Sequence, residues 1–359
     1  MAAPKIILCI ADAPGPAEML APVIPLLGKD CEVRVVAVGT AMSILEPLGA
    51  ILCNDISAAQ DVFEQSKPDL LVSAISSLAQ GPYINNTFVQ MGHTYGIPVI
   101  SLQDIWGNHR WPQNKDIGSR INAVCVPDEF AASLWKDDGF TKDIFVTGNP
   151  AFDRFAVMDT LKERTRIRIQ LGLNKNERVL LYAGQGTPYH IEQDKKTFAY
   201  VADAIRALNE TMPVTLIARP HPRAIETDYY KKYSRDINTL DTSSFAFADN
   251  LLPIADAVIA MTSTSLVHAC YLRIPGVSVL LTGQGRALLA QIGLDDFPSN
   301  IMGATAGVYD DDPAALQKIL EKIFTDASFC VRMHACQEKN FPLDGGAARR
   351  IMAMIKKFL

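Results

Sequence analysis

Short apolar runs recur along this chain, each followed by a turn and a helical stretch, and that alternation restricts the fold more than any other feature. In the first part the runs fall at residues 5–10, 32–38, 69–75, 97–102, 123–126 and 144–146, with helical stretches such as 17–27, 41–48, 83–95 and 128–138 between them. Strands that are apolar throughout are buried on both faces, and strands joined through helices run parallel. Pro14, Gly15 and Pro16 fix the turn after the first strand. A turn at 147–150 and a charged helical segment over 151–171 precede a second series, with strands at 178–183, 213–218, 257–261 and 277–281. The expected fold class is α/β, two doubly wound parallel sheets: an N-terminal domain over 1–150, a second over 151–344, and a closing helix over 345–359.

Composition narrows the function. A chain of 359 residues can bury two cores, and its net charge of −5 argues against a general nucleic-acid binder. The seven cysteines are odd in number and lack CxxC spacing, so neither a disulfide framework nor a zinc site is expected. The apolar run near the start is too short for a signal peptide or a membrane span and is broken by Asp12 and Pro14, which points to a cytoplasmic protein.

In open parallel sheets ligands bind beyond the carboxyl ends of the strands. In the second half those positions hold Gly184, Gly186 and His190, then Arg219, His221 and Arg223, then the hydroxyl run Thr262, Ser263, Thr264 and Ser265, then Thr282, Gly283, Gly285 and Arg286. Glycines, hydroxyls, arginines and histidines there suit phosphate and ribose, and the hydroxyl run opens a helix whose first amides and dipole attract an anion. His268 follows one turn later, facing that opening or buried as a structural histidine. Asp310, Asp311 and Asp312 are an acidic helix start rather than metal ligands.

Several stretches carry a family resemblance. RINAVCVPDEFAASLWKDDGFTKDIFVTGNPAFDRF, RPHPR, ADAVIAMTSTSLVHACYLRIPGVSV and DGGAARRIMAMI resemble successive motifs of the UDP-N-acetylglucosamine 2-epimerases. They are also similar to those of CDP-glycerol glycerophosphotransferases and other glycosyltransferases of the GT-B fold. The resemblance covers most of the chain in order, and residues 146–150 are its most specific part. It implies two Rossmann-like domains facing each other across a cleft, the nucleotide on the second, the acceptor or sugar near the first, and a final helix that crosses back to the first. It further implies metal-independent transfer, with no cofactor besides the nucleotide-sugar substrate, UDP- or CDP-linked. Two departures matter. Where the epimerases carry a Glu pair, this chain has Val267 and His268; where they carry an active-site Glu, Gln103 or Asp104 stands, according to a one-residue shift. The hydroxyl-rich turn is nearer the transferases, so group transfer ranks above epimerisation, with binding of a nucleotide-sugar without catalysis as a third reading.

For transfer, Asp104 is the candidate base, with His109 beside it. Asp12, Gly15, Trp106 and Arg110 are assigned to the acceptor or sugar side. Trp106, His109, Arg110 and Trp111 would stack a sugar or form a subunit contact in a homodimer. The expected partners are a nucleotide-sugar and a glycan or lipid-linked acceptor. The basic terminal helix, with Arg349, Arg350, Lys356 and Lys357, either packs on the first domain or touches an anionic membrane.

Overall fold

The computed structural model describes residues 3–76, 84–186, 190–240, 242, 244–245, 248–282 and 285–359. Its strands form two sheets, each wholly parallel. The first has the order β3-β2-β1-β4-β5-β6-β7, from β1 (Ile6–Ala11), β2 (Glu32–Ala37), β3 (Ile51–Leu52), β4 (Leu70–Ile75), β5 (Val99–Gln103), β6 (Ala123–Val126) and β7 (Asp143–Val146). The second has the order β12-β11-β10-β8-β9, from β8 (Arg178–Ala183), β9 (Val214–Arg219), β10 (Ala257–Ala260), β11 (Gly276–Val279) and β12 (Ala306–Val308). In each the strand order reverses once, between β1 and β4 and between β8 and β10, and a crevice opens at such a reversal.

The chain divides into two compact units. One comprises Met1–Val157 with Asp344–Leu359, the other Met158–Leu343. The 3₁₀ segment Pro150–Val157 thus groups with the first unit. The helical segment expected over 151–171 is two elements, because Asp159 caps a new helix, Thr160–Gln170, by accepting from the Lys162 amide at 3.0 Å.

Other local differences have simple causes. Pro14 and Pro16 lie inside the first turn of the helix Pro14–Leu20 rather than in a loop before it, where prolines need no amide partner. The helix Ile56–Ser66, capped by Asp55 on the Ala58 amide, and the strands β3 and β12 escape the apolar-run reading. β3 has two residues, both exposed at the sheet edge, and β12 three, so neither makes a recognisable run. Tyr83, expected to begin a helix, lies outside the described residues, and Ile84–Thr94 is helical.

The terminal helix Ala347–Ile355 belongs to the first unit. Ala348, Ile351, Met354 and Ile355 are buried in the same core as Ile7, Val35 and Leu70. Asp153 caps this helix across nearly two hundred residues of sequence, accepting from the Ala347 and Ala348 amides at 3.0 and 2.9 Å. Arg350 donates to the Thr147 carbonyl at 2.8 Å and to Asp344 at 2.6 Å. Gly148, at φ +79°, lies where a Cβ would crowd Ala347 and Arg350. The motif at 146–150 is therefore partly a clasp for the terminal helix. Of the basic side chains in that helix and the 3₁₀ turn Lys356–Phe358 after it, Arg350 and Lys356 pair with Asp344 and Asp30, and Lys357 lies over the Phe145 ring.

Replacing Asp153 with Ala leaves two helix amides without their cap, an expected loss of about 1 kcal/mol and a lower melting temperature of the whole protein. An unchanged melt together with an undiminished resistance of the C-terminus to carboxypeptidase would contradict the clasp.

Candidate functional site

In the first unit Asp12 follows β1 and Asp104 follows β5, so parallel topology puts both at one rim. Gly15 is small because a Cβ there would strike Asp104 Oδ2. Asn108 donates through Nδ2 to Asp104 Oδ1 and to the Ile75 carbonyl, the latter at 3.2 Å. Asn149 donates to the Asp104 main-chain oxygen at 3.0 Å, and Asn114 donates to the Asn108 and Ser76 carbonyls at 2.8 Å each. Burial, with the charge of Asp12 adding to it, pushes the Asp104 carboxyl up to about 7 against the pull of the Asn108 amide. Burial likewise pushes Asp12 up to about 6. A carboxyl that titrates near neutrality, held by an amide, can exchange a proton at working pH. Of the alternatives Gln103 and Asp104, Gln103 is excluded from the rim: it is fully buried and accepts from Trp135 Nε1 at 2.7 Å.

The aromatic and basic residues expected beside Asp104 are engaged elsewhere. His109 is 6 % exposed, its Nε2 lies 2.8 Å from Asp138 Oδ2, and its ring stacks on Trp135 at 4.0 Å between centroids. Burial lowers its pKa below the usual histidine value despite Asp138. Arg110 makes a forked pair with Asp138, at 2.7 and 3.0 Å. Trp106 is buried and donates to Asp128 Oδ2 at 2.7 Å. All three therefore fasten the β5–β6 connection to the helix Glu129–Asp137 and the residues that cap its two ends. His109, expected as catalytic, and Trp106 and Arg110, expected on the acceptor side, are thus all engaged in these contacts. Their effect on the rim is indirect: they fix the backbone that carries Asn108.

In the second unit three loops are tied together at the strand ends. Gln185, after β8, donates to Thr262 Oγ1 at 3.1 Å and accepts the Thr262 amide at 2.7 Å, bridging the reversal between β8 and β10. The Gly184 amide donates to the Arg219 carbonyl at 2.8 Å, joining the β8 and β9 loops. Ser263 caps the helix Thr264–Tyr271, its hydroxyl accepting the Ser265 amide at 3.2 Å; Thr264 is exposed and Ser265 buried. The helix thus opens at the switch point of the sheet, its first amides and the Thr264 hydroxyl presented there.

Behind the β8 loop lies a group that sequence reasoning missed. Asp194 is fully buried and accepts from the Tyr182, Tyr229 and Tyr230 hydroxyls and from the Gln185 amide, the first at 2.7 Å and the last at 2.8 Å. A Cβ at Gly184 would collide with the Tyr230 hydroxyl and one at Gly186 with that of Tyr229. Both glycines are there for this close approach, which lets the network hold the loop.

Arg219, expected on a diphosphate, is engaged otherwise: Nη1 donates to the Thr242 carbonyl at 2.7 Å and Nη2 to that of Phe245 at 2.6 Å. His221 Nδ1 accepts the Arg223 amide at 3.0 Å, so a neutral ring carries its proton on Nε2 as a donor. His221 and His190 are both lowered below the usual histidine value, by burial first and then by Arg223, whose own side chain is exposed. His268 is 6 % exposed within its helix, which agrees with its structural alternative. Thr187, Pro188, Tyr189, Gly283 and Gln284 of the expected loops lie outside the described residues. Among the described residues no group of three or more His, Cys, Asp or Glu could hold a metal, and no helix is long and apolar enough to cross a membrane.

Asn108, Asn114, Gln185 and Asp194 carried no sequence signal of their own. Each acts through a partner distant in the chain, and a lone amide or helical Asp reads as surface. The only hint was the pair of glycines around Gln185.

No protein-family model matches the sequence, and a search of curated proteins finds no match. Solved structures do match. MnaA of S. aureus with UDP is 15 % identical at a TM-score of 0.70, over 99 % of this chain and 96 % of that one. The UDP-GlcNAc 2-epimerase of Neisseria meningitidis bound to UDP-GlcNAc is 14 % identical at 0.67, over 98 % and 100 %. A glycosyltransferase of Rickettsia africae is 12 % identical at 0.63, over 99 % of both chains. The fold is therefore GT-B, shared with nucleotide-sugar epimerases and glycosyltransferases.

Two outcomes test the site's geometry in ligand-free protein. A carboxyl with a raised folded pKa contributes stability fully below the ordinary carboxylate value of about 4 and loses it as pH rises through the folded value. For Asp104 that window runs up to about 7, so Asp104→Asn should reduce the fall in melting temperature over it. Identical pH slopes for variant and parent would show that Asp104 is not raised. Arg219→Met keeps the apolar stem but strips two carbonyls of their donor; about 1–3 kcal/mol of stability should be lost without any nucleotide present. No change in the melt would return Arg219 to a purely ligand-binding role.

Proposed function

We propose that the protein is a nucleotide-sugar-dependent transferase of the GT-B type, with Asp104 as general base. The observation that carries this reading is a carboxyl pushed up to about 7, held by an amide and, among the described residues, paired with no cation, at the rim of the first sheet. In this reading the second unit binds the nucleoside diphosphate through the amides opening the helix Thr264–Tyr271, the hydroxyls of Thr264 and Ser263, His221 Nε2–H and Arg223. His190 sits near enough to share the field of Arg223 and extends that surface.

The transfer step balances without a metal. The acceptor hydroxyl gives its proton to the Asp104 carboxylate as its oxygen bonds to the anomeric carbon. The bond from that carbon to the diphosphate oxygen breaks, and the electron pair leaves with the diphosphate. In this reading the growing charge falls on amide hydrogens, hydroxyls and the Arg223 cation. The donor nucleotide is UDP-linked by analogy with the UDP and UDP-GlcNAc complexes of the structural neighbours. The acceptor is a hydroxyl compound.

A second reading, a sugar-nucleotide 2-epimerase, is favoured by the UDP-GlcNAc 2-epimerases among those neighbours. Incubation with UDP-, CDP-, GDP- and TDP-sugars separates the readings. Nucleotide release that requires an added acceptor supports transfer; an epimer or free sugar without acceptor supports the second reading and overturns the first. Under transfer, Asp104→Asn should lower kcat by about 10²–10⁴ and leave UDP affinity unchanged. Full turnover by the variant would remove Asp104 from the chemistry.

A further inference from the structure

The connection after β11 carries a cation to which the transfer step assigns no part. Parallel pairing sets Ser278 of β11 beside Ala260 of β10, and Ser278 Oγ donates to the Met261 carbonyl at 2.6 Å. The chain leaving β11 therefore starts on the strand next to the one that ends in Thr262 and the helix opening at Thr264. The chain leaving β9, which bears His221 and Arg223, has β8 in between. Arg286, in the connection after β11, is exposed, and its guanidinium lies 4.9 Å from the centroid of the Tyr309 ring. Tyr309 directly follows β12, the strand on the other side of β11.

The ring beneath Arg286 is fixed in turn. Its hydroxyl donates to Asp296, which also accepts the Asn300 side-chain amide at 2.8 Å. A Cβ at Gly307 would strike the Tyr309 hydroxyl, so the ring lies folded back over that glycine. The acids of the following turn are engaged by main-chain amides: Asp311 accepts from Thr282 at 3.2 Å, Asp310 from Asp312 at 3.0 Å and Asp312 from Ala314 at 3.0 Å. Among the described residues no carboxylate pairs with Arg286. A guanidinium laid on an aromatic face keeps its in-plane N–H fork for an oxyanion, and the stacking removes part of the rotamer freedom that binding would otherwise cost.

We infer that Arg286, held over Tyr309, is a second anion-binding point beside the helix opening and takes a negatively charged group of the ligand on the β11 side. This rests on the reading of the second unit as a nucleoside-diphosphate site. The group is an oxyanion, either the outer phosphate of the diphosphate or a carboxylate on the sugar attached to it. Tyr309 is a positioning residue that acts on the ligand through Arg286.

Calorimetric titration of the parent and of Arg286→Met with UMP, UDP, UDP-glucose and UDP-glucuronate separates the two sources. A loss of about tenfold or more toward UDP, with UMP unchanged, assigns Arg286 to the outer phosphate; the same loss confined to UDP-glucuronate assigns it to the carboxylate. Arg286→Lys, which keeps the charge without the fork, should recover part of the loss, and Tyr309→Leu, which removes the stacking face, should reproduce part of it. The melting temperature of Arg286→Met should stay close to that of the parent, because the side chain is exposed. Equal affinities of parent and Arg286→Met for all four ligands would overturn the inference and leave the nucleotide site standing. If the parent binds none of the four, the nucleotide reading fails, and the inference is decided by the Arg286 Nε–H resonance of ¹⁵N-labelled protein during addition of inorganic pyrophosphate or of glucuronate. Movement with either anion supports an anion-binding Arg286; a resonance unmoved by both overturns it.

Discussion

Every functional feature of this protein depends on one constraint: parallel strands buried on both faces all end at the same rim. Their backbone amides are satisfied within the sheet, so the connections must cross over helices and return. Residues more than ninety positions apart, such as Asp12 and Asp104, thereby come to the same rim, and Gln185 and Thr262 become neighbours. Where the strand order reverses, adjacent connections leave in opposite directions and expose the helix opening at Thr264.

The two rims are built on opposite electrostatic principles. In the second unit the features at the strand ends are donors: amides opening a helix, hydroxyls, the Nε2–H of a neutral His221, and Arg223. The one buried carboxylate there, Asp194, lies behind the loop and is satisfied by three tyrosine hydroxyls and an amide. It therefore shapes the loop, with its four hydrogen bonds occupied by the loop and its support. The first rim holds carboxyls with few donors among the described residues, and burial raises both above the usual carboxylate range. Donors at the strand ends of one unit and carboxyls at those of the other are what the proposed group transfer from a diphosphate would draw on.

The anchoring side chains show how charge is used away from the rims. His109 and Arg110 converge on Asp138, and Trp106 on Asp128, so the connection after β5 is fastened at both ends of one helix. Arg219 fastens a loop by its carbonyls in the same way. A forked guanidinium serves a pair of carbonyls as well as it serves a phosphate. Residue type at a strand end consequently does not distinguish the two uses.

What the sequence by itself determined was the pair of parallel sheets, in every strand but β3 and β12, and the loops at their strand ends, because apolar period and turn chemistry are local. The place of Asp104 directly after a buried strand was legible for the same reason, whereas its choice as candidate base drew on the family resemblance. The edge strands β3 and β12 were not, being too short to leave a pattern. Only the tertiary structure decided which side chains at the rim are available. Arg219, His109, Trp106 and Arg110 are taken by partners 22 to 29 residues away in the chain. Asp153 finds its partners near the opposite end of the protein, and the glycines at 184 and 186 are explained by tyrosines more than forty residues later. Hydrogen bonds and steric contact act over a few ångströms of space, and separation along the chain says nothing of that distance until the sheets have formed.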